Sequence, residues 1–204
     1  MHREALTEEG AKLWPQLASL GDFYLAGGTA VALQLGHRVS VDFDFFSDKS
    51  LSLDLLPSIE RLFNEQKQRI MVNNSEELTL LISDTKLTFL KYPFPLLYPT
   101  ILVERVQLAT IAELAAIKAY TIGRRGSFKD YFDLYSILQS GYALTTVIAD
   151  AEKKYRDNFN SRLFLEQLVD LSDITDSALR FLVPVISPPE VEQFFSGAVK
   201  KLKW

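Results

Sequence analysis

The chain has 204 residues, 48% of them apolar, which is enough to bury one compact core, with or without a smaller helical domain. It contains no cysteine and only two histidines, which excludes disulfides and thiolate metal sites and favours a hard cation such as Mg²⁺, held by oxygen ligands, for any metal site. The net charge of −4 provides no general attraction to nucleic acids, so a surface that binds them would have to be a local basic patch.

The first predicted element is a helix over residues 3–20. Its opening stretch, "MHREALTEEGAKLW", has the polar, amphipathic character of a helix start and not the pattern of a signal peptide. No apolar run in the sequence approaches the roughly 20 residues that are needed to cross a bilayer. We therefore expect a soluble, cytoplasmic protein without a membrane partner.

Residues 22–47 predict a strand, a helix and a second strand. "DFYLAG" is a short apolar run that ends in glycine, as a buried strand does, and "GTAVALQLGH" has the character of a helix. "VSVDFDFFS" then alternates apolar and polar residues, which predicts a strand with one polar face. Asp42 and Asp44 share that face about 6.6 Å apart along the strand, a spacing that suits two carboxylates bound to one Mg²⁺ or to a pair of ions.

Gly27 and Gly28 lie at the junction of the first strand and its helix. Glycines at this point allow backbone amide groups to approach a phosphate closely, the helix N-terminus favours an anion, and the Thr29 hydroxyl is a further donor. Each feature is common by chance, since Gly-Gly precedes many helices and Asp-x-Asp occurs on many exposed strands. Together, and with Arg38 between them, they indicate a phosphate cradle beside a metal site.

The rest of the first hundred residues predicts one helix and two or three strands. The helix covers residues 53–68, with an internal proline. The strands lie within residues 69–97, with turns at Asn73-Asn74 and Ser83-Asp84. Strands that alternate with helices and are then followed by hairpins favour a mixed α/β sheet.

Beyond Pro99 the sequence predicts helices. Two helix starts resemble capping boxes, Thr110 with Glu113 and Ser127 with Asp130. Gly141 is the predicted stop of the second helix, and further helices are predicted near residues 145–156, 160–171 and 189–203. The sequence thus predicts an α+β protein, with a mixed-sheet domain over residues 1–100 and a helical region over residues 101–204 packed on it.

One lysine interrupts an apolar helical stripe. The stripe consists of Ile111, Leu114, Ala115, Lys118 and Ile122. A lysine in this place costs free energy unless it reaches the edge or has an anionic partner, so nucleotide phosphates and a structural ion pair are both candidates. If the partner is a nucleotide, Lys118→Met would weaken its binding and be neutral or stabilising for folding.

The densest local cluster of basic residues consists of Arg124, Arg125 and Lys129. It would suit a phosphate or a tRNA backbone, although short basic runs are more often solvated helix ends. Of the two acidic residues that follow, Asp130 can serve simply as the third residue of the capping box. Asp133, one helical turn further on, has no capping role.

The stretch "AGGTAVALQLGHRVSVDFDFF" resembles the first signature of a known family, the nucleotidyltransferase-fold toxins of the AbiEii type found in bacterial abortive-infection and toxin–antitoxin systems. "LTFLKYPFPLL" and "IAELAAIKAYTIGRRGSFKDYFDLYSIL" resemble later signatures, and the resemblance covers roughly residues 20–140. It implies the nucleotidyltransferase fold, Mg²⁺, an NTP as substrate, and transfer of a nucleotide to an acceptor, which in related toxins can be the end of a tRNA. A cognate antitoxin would be the protein partner.

The resemblance also implies residue roles. The implied nucleotide-binding residues are Gly27, Gly28, Thr29, Arg38, Lys118, Lys129 and Asp133. The implied catalytic residues are Asp42, Asp44, Lys118 and Asp130, and the first two are also the implied metal ligands.

The sequence departs from the family pattern at one catalytic position. Nucleotidyltransferases of this fold usually add a third carboxylate from a neighbouring strand, and relatives that read "VKVDFLRYPYPLL" have it where this chain has Thr88. A threonine cannot act as a base and is only a weak, neutral oxygen ligand. Asp84 has the same strand parity but would lie about 13 Å away along the strand. Asp130 or Asp133 would then have to supply the third group, or the protein is a weak or inactive member.

Three functions follow as hypotheses. The first is a Mg²⁺-dependent nucleotidyltransferase, the second is an NTP-binding or antitoxin-contacting module with weak or no turnover, and the third is a structural or interaction domain. Thr88 favours the second over the first. The position of Lys118 and the Asp42 and Asp44 pair argue against the third.

Overall fold

The computed structural model describes residues 1–124, 127–174 and 179–202. In these ranges it contains a seven-stranded mixed sheet and eight α-helices, which confirms the predicted α+β class. The strands are β1 (Tyr24–Ala26), β2 (Phe43–Ser47), β3 (Gln68–Asn73), β4 (Glu77–Ile82), β5 (Thr85–Lys91), β6 (Ile101–Val103) and β7 (Val106–Leu108). The helices are α1 (Glu8–Leu17), α2 (Gly27–Leu35), α3 (Leu55–Leu62), α4 (Ile111–Ile122), α5 (Phe128–Gln139), α6 (Leu144–Tyr155), α7 (Ser161–Leu168) and α8 (Pro188–Lys200). None of these helices is long and apolar enough to span a membrane.

Strand β2 lies at the centre of the sheet, whose strand order is β3-β4-β5-β2-β1-β7-β6. It pairs antiparallel with β1 and parallel with β5. Phe43 and Phe45 point from β2 into the core and are fully buried, while Asp44 between them faces the other side and is half-buried. The predicted period-two pattern is confirmed over this strand.

The residues just before β2 lie outside the sheet, although the alternating pattern predicts a strand from Val39. The amide of Val39 donates to the carbonyl of Arg180 (2.8 Å), and the amide of Ser40 donates to the carbonyl of Ala5 (2.8 Å). Because these backbone groups are bonded to the two end regions of the chain, β2 begins only after Asp42. The segment between α2 and β2 is thereby fixed from both sides.

Strands β3, β4 and β5 form two successive antiparallel hairpins. The first turn is closed by the side chain of Asn74, whose Oδ1 accepts hydrogen bonds from the amides of Glu76 (2.9 Å) and Glu77 (2.8 Å). The second turn places Ser83 in the left-handed region, with φ of 52°. Both predicted turns are confirmed, and the predicted two or three strands are three.

The sheet continues beyond residue 100, where the sequence predicts only helices. Strands β6 and β7 form a hairpin, and Leu108 of β7 pairs in parallel with Leu25 of β1. These strands have three residues each, which is too short for a period-two pattern to show in the sequence. The change from strands to helices therefore lies between Leu108 and Ile111. The division into two domains stays a prediction, and the sheet would place its boundary after β7.

The two predicted capping boxes have different outcomes. Thr110 caps α4, because its hydroxyl accepts a hydrogen bond from the amide of Glu113 (3.4 Å). Ser127 is the N-cap residue of α5, but its side chain makes no capping hydrogen bond. Asp130 binds Lys118 with its carboxylate, so its capping-box interpretation is wrong.

A buried ion pair attaches the loop between β5 and β6 to the helices. The carboxylate of Glu113 on α4 accepts the amides of Leu97 (2.8 Å) and Tyr98 (3.2 Å) and contacts Nζ of Lys154 on α6 (2.6 Å). Lys154 also donates to the carbonyl of Pro95 (2.6 Å). Both charged side chains are fully buried, and they satisfy backbone groups that the loop would otherwise leave unpaired.

Candidate active site

A cleft of about 580 Å³ opens beside the polar face of β2. The predicted residues that line it are Gly27, Gly28, Arg38, Asp42, Asp44, Lys118, Lys129 and Asp130, and Thr88 lines it as well. A larger cavity of about 690 Å³ lies between the turn after α1 and helix α3, but none of the predicted site residues lines it. The smaller cleft is therefore the candidate site, because of the residues that line it and not because of its volume.

The two aspartates of the Asp-x-Asp motif differ in burial and in their charged neighbours within this cleft. Burial raises the pKa of Asp44, and the negative charge of Asp42 raises it further, against the opposing effect of Lys86. Asp42 is more accessible, with 28% of its side chain exposed, and its Oδ2 lies 3.2 Å from Nζ of Lys86. Asp44 is thus a half-buried carboxylate whose ionised form is disfavoured in the folded protein. Such a carboxylate is typical of a site that binds a cation.

The Gly-Gly pair allows charged side chains to pack against the junction of β1 and α2. Gly27 has a φ of 63°, and a Cβ atom on it would lie 2.5 Å from Oδ2 of Asp44. A Cβ atom on Gly28 would collide with the guanidinium of Arg38. Ala26, the N-cap residue of α2, has no side-chain acceptor, so it leaves the first amides of the helix uncapped beside the cleft.

Thr29 lies behind the cleft and does not line it. Its buried hydroxyl contacts Oγ of Ser40 (2.8 Å) and the backbone carbonyl of Asp42. A hydroxyl has one proton to donate, and this geometry directs it at the main chain that carries Asp42. The structure therefore places the Thr29 hydroxyl beneath the first aspartate and not at a phosphate position.

A buried network of charges forms the wall of the cleft. Asp133 is fully buried, and its Oδ1 contacts Nε of Arg38 (2.6 Å) and Nε2 of His37 (2.7 Å). Its Oδ2 contacts Nη2 of Arg38 (2.9 Å) and Nζ of Lys118 (2.6 Å). Burial alone would raise the pKa of Asp133, but the charges of Arg38 and Lys118 hold it well below its usual range. With both oxygens occupied, Asp133 has no free acceptor for a nucleotide.

Lys118 has the anionic partners that its place on the α4 stripe requires. Its Nζ lies 2.8 Å from Oδ1 of Asp130, in addition to its contact with Asp133. Burial lowers the pKa of Lys118, but the two aspartates outweigh this effect and raise it. The structural ion pair that the sequence left open is present, and the lysine lines the cleft at the same time.

Asp130 keeps one oxygen available in the cleft. Its side chain is 2% exposed, and its Oδ2 has no hydrogen-bond partner within the part of the chain that the structure describes. Asp84 is different, since it lies exposed in the turn between β4 and β5 and does not line the cleft. Of the carboxylates that the sequence offers in place of the third acidic group, only Asp130 faces the site.

Thr88 occupies the position beside Asp44 that the family resemblance assigns to the third carboxylate. The two residues are register partners on the parallel strands β2 and β5. Side chains at such positions project from the same face of the sheet. A hydroxyl, not a carboxylate, therefore faces Asp44 from the neighbouring strand.

The predicted basic cluster does not lie on one surface. Lys129 lines the cleft, whereas Arg124 lines a separate cavity and has its guanidinium 4.3 Å from the centre of the Tyr120 ring. Arg125 lies outside the described residues. Only Lys129 of the three can thus be assigned to the cleft.

Two charged residues in the cleft were not predicted from the sequence. Lys86 precedes Thr88 by two residues on β5, so strand parity could have identified it. Glu77 is the first residue of β4, and its place in the cleft depends on how β4 pairs with β5, which the sequence does not specify.

The acidic residues of the cleft suit a metal–nucleotide complex better than a metal ion alone. Among the described residues, no group of three or more histidine, aspartate or glutamate side chains is arranged to hold a metal ion. Mg²⁺ is usually bound by one or two carboxylates, with water and substrate phosphates as its other ligands. Asp42 and Asp44 match that donor set.

The fold is that of the nucleotidyltransferases. MenT4, the nucleotidyltransferase toxin Rv2826c of Mycobacterium tuberculosis H37Rv, has the same fold with a TM-score of 0.62, and the match covers 94% of this chain and 83% of that one at 15% identity. The sequence matches the family described as "Nucleotidyl transferase AbiEii toxin, Type IV TA system" over residues 14–197. The chain therefore belongs to the AbiEii nucleotidyl transferase toxin family, and the resemblance noted in the sequence is confirmed.

Two further similarities extend across most of the chain. The uncharacterized protein aq_aa25 of Aquifex aeolicus strain VF5 is 31% identical over 205 residues, which cover 96% of this chain and 97% of that protein. The resistance factor ANT(2'')-Ia, in complex with adenylyl-2''-tobramycin, shares the fold with a TM-score of 0.52 at 14% identity, over 70% of this chain and 96% of that one. The second of these similarities agrees with the nucleotidyltransferase fold of this chain.

Proposed function

We propose that the protein transfers a nucleotide from an NTP to an acceptor hydroxyl, with Mg²⁺ as the metal ion. Family membership supports nucleotidyl transfer in general, and the observation that supports this site is the placement of Asp42 and Asp44 beside the uncapped start of α2. One cleft thus combines carboxylates for a cation with amide groups for an anion. A triphosphate bound with its metal satisfies both requirements.

The residues around the aspartates would hold the triphosphate. The amides of Gly27 and Gly28 at the helix start would donate to phosphate oxygens, and Lys118 and Lys129 would neutralise the charge of the triphosphate. Mg²⁺, when bound, supplies further charge neutralisation for the phosphates. Arg38 borders the same space with its guanidinium fixed on Asp133.

Two of the predicted nucleotide-binding residues act indirectly in this proposal, through other residues of the site. Thr29 fixes the backbone that carries Asp42, and Asp133 fixes Arg38 and Lys118. Both are buried and neither lines the cleft. We therefore assign them to positioning and not to contact with the nucleotide.

The acceptor and the protein partner follow from the family, at the level of a proposal. A tRNA end is the acceptor that toxins of this family suggest, while the structure of ANT(2'')-Ia with adenylyl-2''-tobramycin illustrates a small-molecule acceptor on the same fold. A cognate antitoxin is the proposed partner, since the family is assigned to a type IV toxin–antitoxin system.

The second candidate function is an NTP-binding or antitoxin-contacting module with weak or no turnover. Thr88 supports it, because the position beside Asp44 lacks the carboxylate that would activate an acceptor. This alternative retains nucleotide binding through the same cleft. Only a measurement of transfer separates the two functions.

The first experiment is a thermal-shift scan with each of the four NTPs, with and without Mg²⁺. Binding to the folded state raises the apparent stability by mass action, so one NTP should raise the Tm in the presence of Mg²⁺. The second is incorporation of label from that NTP into a tRNA pool, with Asp44→Asn as the inactive control. Binding without incorporation into tRNA or small-molecule acceptors would favour the second function, and no shift with any NTP would contradict both.

A further inference from the structure

The cleft contains a row of hydroxyl groups that leads from Thr88 to a carboxylate on the next strand. Thr88 of β5 pairs with Thr79 of β4, and their hydroxyl oxygens are 3.5 Å apart. The Thr79 hydroxyl donates to Oε1 of Glu77 at 2.7 Å. Glu77 also lines the cleft with Thr88 and Asp44. The three side chains thus form a row from the position beside Asp44 to an acidic group, with one short hydrogen bond and one longer contact.

The directions of the hydrogen bonds follow from the number of protons. A carboxylate only accepts, so the single proton of Thr79 is donated to Glu77. With that proton engaged, Thr88 is the donor across the 3.5 Å contact between the two hydroxyl oxygens. Because Thr88 lines the cleft, a lone pair of its oxygen is then available to accept a hydrogen bond from an incoming hydroxyl.

We propose that Glu77 is the terminal proton acceptor of the transfer reaction, and that Thr79 and Thr88 relay the proton to it. This inference rests on the proposed nucleotidyl transfer. As the acceptor oxygen forms its bond to the α-phosphorus, the bond from that phosphorus to pyrophosphate breaks. The acceptor proton passes to Thr88, the Thr88 proton to Thr79 and the Thr79 proton to Glu77, which becomes a neutral carboxylic acid.

Glu77 suits this role better than the other free carboxylate in the cleft. Asp130 is 2% exposed and its Oδ1 lies 2.8 Å from Nζ of Lys118, so its carboxylate is already paired and closed off from solvent. Among the described residues Glu77 has no ion pair, since Lys91 pairs with its neighbour Glu76, and Glu77 is half-buried, so solvent can reach its carboxylate. The relay thereby supplies a base to the position of Thr88, whose own hydroxyl cannot act as one.

The test compares the rates of label incorporation by parent, Glu77→Gln, Thr79→Val and Thr88→Val, with the NTP identified by thermal shift and a tRNA pool. General-base assistance contributes roughly 10²–10⁴-fold, so we expect each variant to lose about 10²-fold or more in kcat with an unchanged KM for the NTP. Thr79→Ser keeps the hydroxyl and should stay near the parent rate. Glu76→Gln, at the exposed neighbouring position, is the matched control and should be unaffected.

A second-site substitution distinguishes a relay from a structural role. Thr88→Asp places a carboxylate directly beside Asp44, so it should restore incorporation in the Glu77→Gln background to at least the parent rate. A merely structural loss at Glu77 would not be repaired in this way. Equal rates for parent and Glu77→Gln, or a double variant as slow as Glu77→Gln alone, would overturn the relay while leaving nucleotidyl transfer intact. A parent that binds NTP but transfers to no acceptor would instead overturn the proposed function together with the relay.

Discussion

At the scale of single residues, the candidate site contains a carboxylate whose charge is unfavourable in the folded protein. Burial and the charge of Asp42 raise the pKa of Asp44 above its ordinary value. At neutral pH the ionised form of Asp44 therefore costs stability relative to the unfolded chain. Such a cost is explained if the residue is retained for a bound cation and not for folding.

Asp44→Asn should therefore stabilise the protein without ligands and abolish the Mg²⁺-dependent shift with NTP. Urea denaturation at pH 7 measures the first effect and thermal shift the second. Asp48→Asn, at an exposed position one residue beyond β2, is the control and should change neither quantity appreciably. An Asp44→Asn protein that still gains the full shift with Mg²⁺ and NTP would show that the metal is held elsewhere.

The contacts of Lys118 reverse one expectation from the sequence. On its apolar stripe alone, Lys118→Met would be neutral or stabilising for folding, but the lysine is paired with Asp130 and Asp133 in the buried network. Removing one partner leaves buried negative charge uncompensated.

Lys118→Met should accordingly destabilise the protein by about 3–5 kcal/mol, as measured by urea denaturation. Lys129→Met is the matched control, since Lys129 lines the same cleft but is only half-buried, and we expect a change within about 0.5 kcal/mol. Equal stability of the two variants would mean that the ion pairs of Lys118 contribute nothing to folding.

At the scale of secondary-structure elements, the ion pair of Glu113 and Lys154 fixes the loop between β5 and β6. Burial lowers the pKa of Lys154, although its contact with Glu113 opposes this effect. The pair also satisfies the backbone groups of Pro95, Leu97 and Tyr98. Strand β5, which carries Thr88, is connected through this loop to the helices α4 and α6.

Glu113→Gln should leave the buried ammonium of Lys154 without its counter-charge and destabilise the protein by about 3–5 kcal/mol. The double variant Glu113→Gln with Lys154→Met should recover part of this loss, because it removes the unpaired charge. A double-mutant cycle in urea measures the coupling. Strictly additive losses would show that the two side chains do not stabilise each other.

At the scale of the whole molecule, the network around Asp133 joins parts of the chain that are distant in sequence. Asp133 on α5 binds Arg38, which lies 95 residues earlier, between α2 and β2. The same early segment pairs with the C-terminal region, where Arg38 and Phe181 form an isolated bridge. The wall of the cleft is thus held by tertiary contacts of the segment between α2 and β2 with helix α5 and with the C-terminal region.

This arrangement predicts a dependence of stability on pH. The pKa of Asp133 is lower in the folded protein than its ordinary value of 3.8, so the unfolded state binds protons first as the pH falls. The stabilisation is therefore complete above about pH 4–5 and is lost below that, as the pH falls toward the folded-state pKa. Asp133→Asn removes this contribution. Urea denaturation from pH 7 to pH 3 should show a shallower acid loss for the variant than for the parent, and parallel curves would contradict the assignment.

The sequence by itself determined the features that depend on short-range geometry. The Asp-x-Asp pair on one face, the Gly-Gly junction and the two hairpin turns follow from strand parity and turn chemistry, which operate within a few residues. These local patterns were sufficient to identify the family and most of the charged residues that line the cleft. The local errors arose where distant groups compete: Lys118 binds the carboxylate of Asp130, and Arg180 and Ala5 bind the backbone of Val39 and Ser40.

Only the tertiary structure decided which charged groups meet. Whether Lys118 faces a nucleotide or an aspartate, whether Thr29 reaches a phosphate or the backbone of Asp42, and whether Glu77 enters the cleft all depend on how separate elements pack. Ion pairing acts through space, so residues that are far apart in the chain can be partners. No sequence pattern shows which of them will pair. The strand register that aligns Thr88 with Asp44 and Thr79 is set in the same way, by the packing of whole strands against a common core.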